Sequence, residues 1–224
     1  MSAVLDSIDV IKQQSARHDS VVVALSFGKD SLVVMDLCCK HFKRVEAFCM
    51  SFVTGMNIMQ QKLQYSRDRW GVEVKEIEHW AAVRHRAQGF RCFESYHEGK
   101  LPNLAMTLEQ QKKETGCSLS VTGTRAAESL GRRAGLRRRE EGVEAGAWAG
   151  DWHPIAWWNR AEVIAYLKNN NLPMEDIDKD MQGISNDATS ILWLHDNHPA
   201  DYQKWLEVFP LASCVVKRRE LYGI

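Results

Sequence analysis

Apolar residues at Val4, Leu5, Ile8 and Ile11 recur at helical spacing over residues 4–15, and a wholly apolar run follows at 21–25. The spacing predicts a helix and then a buried strand. A turn at 26–30 leads into a second helical pattern, with Leu32, Val33, Met35, Leu37 and Cys38 ahead of His41, and residues 45–50 read as another strand. Two strands joined by a helix form a right-handed parallel unit by default. The pattern repeats with a helix over 57–70 stopped at Gly71. Val72, Val74 and Ile77 then alternate with Glu73, Lys75 and Glu76, as an edge strand would.

Residues 81–100 carry a mixed signal, whereas 104–115 read as a helix ended by Gly116 and 117–122 as a fourth strand. Another helix is expected near Ala126. Five glycines and a string of arginines between Gly131 and Gly150 predict a mobile loop. Residues 153–156 are expected to form a fifth strand. Asn159, with Glu162 three residues on, has the form of a capping box for a helix reaching Asn170. Two short helices separated at 197–199 are expected over 189–209. The alternation specifies an α/β fold: a Rossmann-like open, mostly parallel five-stranded sheet with helices on both faces and a helical C-terminal extension. Ligands in such sheets bind at the carboxyl ends of the strands, so the turns after Leu25, Met50 and Thr122 should share one crevice.

The chain has 29 Lys and Arg against 29 Asp and Glu, a net charge of zero that argues against a uniformly basic nucleic-acid coat. Its longest apolar run is far below the roughly 20 residues of a membrane span, and Asp6, Asp9 and Lys12 interrupt the N-terminal apolar residues. Membrane association and secretion are therefore not expected, and a cytoplasmic location is. Cys38, Cys39, Cys49, Cys92, Cys117 and Cys214 contain no Cys-x-x-Cys pattern, which suits reduced thiols. Cys92 with His79, His85 and His97 matches no standard ligand spacing, so neither zinc nor an iron–sulfur cluster is expected.

The strongest chemical signal is Ser26-Phe27-Gly28-Lys29-Asp30-Ser31, which joins the first buried strand to a helix. Backbone N–H groups of such a turn, the helix N-terminus, Lys29 and the hydroxyls of Ser26 and Ser31 together suit an anion. Its alternative is a solvated, capped turn. It is not a Walker A loop, because Val23 stands where Gly is required and Asp30 follows the Lys. Asp30 could hold a Mg²⁺ ion bridging phosphates or simply satisfy the helix N-terminus with its charge. Six arginines (125, 132, 133, 137, 138 and 139) face a single acid, Glu128, over residues 125–139. They form a solvated face or recognise a second polyanion, either a nucleotide 3′-phosphate or a nucleic-acid backbone. Residues 171–207 hold eight acids and two lysines, which could neutralise those arginines across a homodimer. Trp148, Trp152, Trp157 and Trp158 could stack on bases, but tryptophans flanking a helix start fit the core better, and Trp158 is assigned there.

Residues 26–31 resemble the Ser-x-Gly-Lys-Asp-Ser signature of the PP-loop adenine nucleotide α-hydrolase superfamily, which includes ATP pyrophosphatases and phosphoadenosine phosphosulfate (PAPS) reductases. Gly123-Thr124-Arg125-Ala126-Ala127-Glu128-Ser129 is similar to the Gly-x-Arg-x-x-Glu-Ser element of the PAPS reductase branch, with Arg132 or Arg133 as its trailing arginine. His153-Pro154-Ile155-Ala156-Trp157-Trp158-Asn159 resembles that branch's Pro-(Ile/Leu)-x-x-Trp-(Ser/Thr) segment. The chain looks especially like short members carried by bacterial viruses, for which the location would be the host cytoplasm. Two departures stand out. The Asp-Thr-Gly-type element after the second strand is reduced to Thr54-Gly55, and Leu221 stands where the reductases' C-terminal cysteine would be, with Cys214 as the nearby substitute.

The resemblance implies a single domain over 1–224, with a nucleotide-binding core at 1–150 and a mainly helical part at 151–224. It implies ATP or PAPS as substrate, bound through Ser26, Phe27, Gly28, Lys29, Asp30, Ser31, Gly123, Arg125, Glu128, Ser129, Arg132 and Arg133. Lys29, Asp30 and Arg125 are the expected catalytic residues. AMP-forming cleavage of ATP to activate an acceptor, a small molecule or a nucleic acid, is favoured because the reductase cysteine is missing. The alternatives are PAPS reduction or sulfotransfer, and a catalytically silent nucleotide-binding or interaction protein.

Overall fold

The structure, a computed structural model, describes residues 3–95, 98–140, 152–173 and 184–223. Its centre is a parallel sheet of β1 (Ser20–Ala24), β2 (Arg44–Ser51), β3 (Val74–Glu78) and β4 (Leu119–Val121) in the order β3-β2-β1-β4. The chain steps outward from β1 to β2 to β3, then returns to pair β4 on the other side of β1. The loops after β1 and β4 therefore diverge at a topological switch point, where such sheets open a crevice.

The period-two alternation of β1 sorts the helices into layers. Val21 and Val23, with Ala47 and Cys49 of β2, face the side covered by α1 (Ala3–Arg17), α2 (Lys29–His41), α3 (Asn57–Trp70) and α7 (Arg160–Asn169). Val22 and Phe48 face the other side, where Leu108 of α5 (Leu104–Thr115) packs with Cys117. Every residue of α2 from Ser31 to Cys38 is buried, because the helix lies between the sheet and the pair α1 and α7. Gly71 and Gly116 end α3 and α5 in the left-handed conformation that a Cβ would penalise.

Asp36 is the charged residue inside this layer. Its carboxylate accepts from Trp70 Nε1 (3.1 Å), Tyr166 Oη (2.8 Å) and Lys40 Nζ (2.6 Å), tying α2 to α3 and α7. Burial by itself would raise the Asp36 carboxyl, but hydrogen bonds from Lys40, Trp70 and Tyr166 outweigh it and hold its pKa below the ordinary carboxylate value.

A second apolar cluster lies over the carboxyl ends of β2 and β3. Phe52, Val53 and Met56 pack there with Ala82 of α4 (Trp80–Ala87) and with Ile191, Tyr202, Trp205 and Val216 of α8 (Ala188–Asn197), α9 (Pro199–Val208) and α10 (Ser213–Tyr222). Phe52 stacks between His79 (5.0 Å) and Trp205 (6.1 Å). Asp201 of α9 accepts from the backbone N–H groups of Asn57 (2.6 Å) and Ile58 (3.0 Å), so the N-terminus of α3 is capped by a residue 144 positions away.

Three sequence expectations change. Among the described residues the sheet has four strands, not five. Residues 153–156 make turn bonds (Ala156 N to His153 O, 3.1 Å), and only a bridge between Val121 and Trp152 continues the ladder, since Pro154 offers no N–H to it. The expected loop after Gly131 is instead α6 (Leu130–Glu140) as far as Glu140, and residues 141–150 lie outside the described residues. Ser129 starts this helix, its Oγ accepting from Arg132 N (3.1 Å), and Leu136 packs on Ala126 and Ala156. That burial and the helix propensity of Arg, Leu and Ala overcome Gly131 and Gly135. Finally, α4 and α10 fall where no helix was expected. Among the described residues no helix is long and apolar enough to cross a membrane.

Replacing Asp36 by Ala should destabilise the fold by about 1–3 kcal/mol, the usual cost of leaving buried donors, here Trp70 Nε1 and the Tyr166 hydroxyl, without their acceptor. A carboxylate with a depressed pKa contributes stability that is present above its unfolded pKa and is lost as pH falls through the folded value. Urea midpoints measured from pH 7 down through pH 3 should therefore fall more steeply for the wild type than for Asp36→Asn.

Candidate functional site: an open helix N-terminus at the switch point

The turn after β1 carries its conformational cost at Phe27, not at the glycine. Phe27 has φ 59°, the left-handed region, and its ring is held against the main core. Gly28 has φ −75°, and a Cβ there would meet only Ser26 Oγ at an ordinary 3.5 Å, so neither φ nor packing within the chain demands glycine. Gly28 is the N-cap of α2 and supplies no side chain to it. Its carbonyl accepts from Leu32 N (3.0 Å) and Ser31 Oγ (2.9 Å), and Ser31 Oγ also meets Ser26 Oγ (3.0 Å). The first-turn N–H groups of α2 have no acceptor among the described residues, at the end of the sheet where β1 and β4 part. A helix N-terminus in this condition carries roughly half a positive charge.

Asp30 and Arg125 lock the facing loop onto this turn. Arg125 Nε donates to Asp30 Oδ1 (2.6 Å), Nη2 reaches Asp30 Oδ2 (3.5 Å) and Nη1 donates to the Trp158 carbonyl (3.3 Å). Lys29 Nζ donates to the second oxygen of the same carboxylate (2.7 Å). Arg125 is only 4% exposed. Gly123, two residues past the end of the β4 ladder, passes so close to α2 that a Cβ would sit 3.0 Å from Asp30 C and Ser31 N. Thr122 Oγ1 pairs with His153 Nδ1 (2.7 Å) and Thr124 Oγ1 (3.0 Å), and Ala126 N donates to Ala156 O (2.7 Å), which ties this loop to the 153–158 turn.

Of the residues singled out in the sequence, Ser26, Phe27, Gly28, Lys29, Asp30, Ser31, Gly123 and Arg125 come together here. Glu128 accepts from Arg132 and from Arg125 N (3.4 Å), and Ser129 caps α6, so both are engaged in holding the loop. Arg133 is exposed on α6 and has no ion-pair partner among the described residues. His153 and the Trp158 carbonyl were not anticipated as parts of the site. Their contacts span 31 and 33 residues, and no local pattern announces them.

The cysteines lie elsewhere. Burial pushes Cys39 and Cys49 up to about 12, and Cys38 higher still, so these thiols stay protonated. Cys214 is exposed at the start of α10, in the helical layer over β2 and β3. No group of three or more His, Cys, Asp or Glu suited to a metal occurs among the described residues.

A strand, an uncapped helix start bearing Lys29 and a facing Gly-x-Arg loop at the switch point define a PP-loop α/β protein. Residues 20–180 match the phosphoadenosine phosphosulfate reductase domain, and the chain belongs to that family, one of adenine-nucleotide-binding proteins. No curated protein matches the sequence. Among solved structures, the chain is similar to NH3-dependent NAD synthetase from Campylobacter jejuni in complex with the nitrate ion. The two share 18% identity and a TM-score of 0.55 over 99% of this chain and 93% of that one. NMN synthetase from Francisella tularensis is also similar, with 16% identity and a TM-score of 0.52 over 80% of this chain and 73% of the other. Both likenesses are of fold.

Gly123→Ala should be poorly tolerated, since the atoms its Cβ meets are backbone and cannot rotate away. The expected cost is about 1–3 kcal/mol, read as a lowered denaturation midpoint, together with weakened anion binding as the turn is pushed out of place. Gly28→Ala, whose Cβ would meet only Ser26 Oγ at an ordinary 3.5 Å, should lower the midpoint less, by no more than the roughly 1 kcal/mol of a poorer N-cap residue.

Proposed function

We propose that the crevice binds ATP with its phosphates on the N-terminus of α2, and that the protein cleaves ATP between the α and β phosphates. An acceptor oxygen attacks the α-phosphorus, the bond from that phosphorus to the bridging oxygen breaks, and pyrophosphate leaves with the electron pair. The observation that carries this reading is the uncapped start of α2: donors already oriented for an anion, with Lys29 beside them, at the switch point between β1 and β4.

The residues divide into two groups. The first-turn N–H groups, Ser26, Ser31 and Lys29 touch phosphate and stabilise the charge that builds on the leaving group. Gly28 keeps the approach to the backbone clear. Arg125, buried and fully occupied, is a positioning residue: it holds Asp30, and Asp30 holds Lys29. Phosphate would draw Lys29 off Asp30 at little cost, because Arg125 continues to neutralise that carboxylate. The same arrangement is a poor fit for Mg²⁺ on Asp30, as both of its oxygens already accept from cations. A metal arriving with the nucleotide would keep phosphate and water as its main ligands.

Family membership supports the sulfonucleotide reading as well, in which a thiolate takes the sulfur group. Against it, among the described residues no cysteine borders the α2 turn. Incubation with ATP labelled at the α-phosphate, and separately with PAPS, distinguishes the two. AMP or an adenylylated product with pyrophosphate is expected, and sulfite released from PAPS in the presence of a thiol would overturn the ATP reading. Cys214→Ser should leave turnover unchanged.

Lys29→Ala should weaken ATP binding at least tenfold, on the scale of one charge-assisted contact of about 1.5–3 kcal/mol, with an unaltered circular dichroism spectrum. Titration calorimetry measures this. Equal affinity of both proteins for ATP and for PAPS would remove the phosphate assignment of the turn.

A further inference from the structure

Beyond the end of α4, Phe90 and Arg91 join His85 and the residues 185–188 that start α8 in lining a cavity of about 410 Å³. That is room for a small organic molecule rather than for one or two waters. None of its described lining residues belongs to the α2 turn or to the loop that faces that turn.

Arg91 is the cation there. Its backbone has φ 61°, a strained conformation for this residue, and its carbonyl accepts from Leu211 N (3.0 Å). Its Nε donates to the Asn186 carbonyl (3.1 Å), and its guanidinium lies over the Phe90 ring, 5.0 Å from the centroid. Among the described residues its two Nη groups have no acceptor and no carboxylate within ion-pair distance. Asp187 is near, but its oxygens are spent on Ser190 N (2.8 Å), Ser190 Oγ (3.0 Å) and Ser185 Oγ at the N-cap of α8. Burial works against the charge of Arg91 and lowers its pKa, while Asp187 opposes that shift.

The polar atoms beside Arg91 are unpaired as well. Asn186 is only 2% exposed, yet neither Oδ1 nor Nδ2 of its amide has a hydrogen-bond partner, and His85 Nδ1 is likewise buried without one. Nine buried side-chain atoms are in this condition among the described residues, and three of them belong to residues lining this one cavity. Folded proteins seldom leave such atoms unpaired, so their concentration here marks a place built to receive hydrogen bonds. Burial, and then the charge of Arg91, lowers the His85 pKa, so its neutral ring prevails at pH 7 and Arg91 is the cation on offer.

We propose that this cavity binds a small monocarboxylate carrying a hydroxyl or amide group next to the carboxylate, with the carboxylate on the Nη groups of Arg91 and the neighbouring group on the amide of Asn186. A planar carboxylate matches the two parallel N–H donors of a guanidinium. One cation with Asp187 near it suits a single negative charge better than a phosphate dianion. The Asn186 amide both accepts and donates, so its complement must do the same, as a hydroxyl or an amide does. An ammonium group in that place would be repelled by Arg91. Asn186 meets the ligand by turning about its side-chain torsions, and the turn breaks no hydrogen bond because none holds the amide. The site stands independently of the ATP chemistry proposed above.

The test is a titration of the ¹⁵N-labelled protein followed by NMR at the Asn186 side-chain amide and the Arg91 Nε–H. Lactate and N-acetylglycine are the ligands, with acetate, alanine, inorganic phosphate and sodium chloride for comparison. Lactate or N-acetylglycine should shift both signals to saturation, and acetate should bind about fivefold more weakly, the worth of one neutral hydrogen bond. Arg91→Gln should lower the lactate affinity roughly tenfold or more. Asn186→Leu should lower it about fivefold, to the level of acetate, and leave acetate affinity unchanged. Because Asn186→Leu replaces an unpaired amide by an apolar group of similar shape, its thermal midpoint should hold or rise. Lys29→Ala should leave lactate binding as it is. Equal shifts with chloride or phosphate, acetate binding as tightly as lactate, or an Asn186→Leu variant that melts earlier with lactate affinity intact would overturn the proposal. Loss of lactate binding in Lys29→Ala would do so too, by placing the carboxylate at the α2 turn.

Discussion

The ion pair between Arg125 and Asp30, together with the backbone contact at Gly123, is the constraint on which the site depends. It joins the start of α2 to the loop after β4 across the switch point of the sheet, where the two segments would otherwise diverge. A buried arginine is expensive, and here the cost is offset by placing a carboxylate and the Trp158 carbonyl around the guanidinium. The N-cap of α2 is Gly28, which brings no side-chain acceptor to the helix start. The donors at the start of α2 are consequently left open, which is an unfavourable arrangement for the empty protein and a favourable one for an anion.

Around that joint the structure separates stability from reactivity. The main core, the Asp36 network and the buried stretch of α2 from Ser31 to Cys38 hold the sheet and its covering helices in register. The second cluster, built on Phe52 and the C-terminal helices, covers the ends of β2 and β3 and caps α3 through Asp201. The start of α2 at Gly28 and Lys29 lies outside both. Strain is stored where it is useful, at Phe27, whose ring is anchored in the core while its backbone turns the chain toward the helix.

His79, which has no standard metal-ligand spacing in the sequence, is put to structural use by the second cluster. Its Nδ1 accepts from Ala81 N (3.0 Å) and starts α4, while its ring stacks on Phe52. Burial, with His85 nearby, lowers its pKa to about 4, so it is neutral in ordinary buffers and serves as a cap and a packing surface.

The strands β1 to β4, the helices α1, α2, α3, α5 and α7, and the hexapeptide at Ser26 were legible in the sequence because each rests on a local pattern: period-two or helical spacing, a capping box at Asn159, a glycine stop. What the sequence misjudged depends on contacts that local patterns do not encode. Residues 130–140 look like a loop by glycine content and become a helix because Leu136 finds Ala126 and Ala156. Residues 153–156 look like a strand and become a turn that supports the Arg125 loop. The motif residues could all be named from sequence, but only the fold divided them into Lys29 beside the open N–H groups and those engaged in holding the loop, the buried Arg125 with the exposed Glu128 and Ser129. Tertiary structure made that division because a charged side chain takes whatever partner the folded chain brings within reach. Arg125 meets Asp30 across 95 residues, whereas the spacing of apolar residues that builds each helix and strand is complete within a single turn or two.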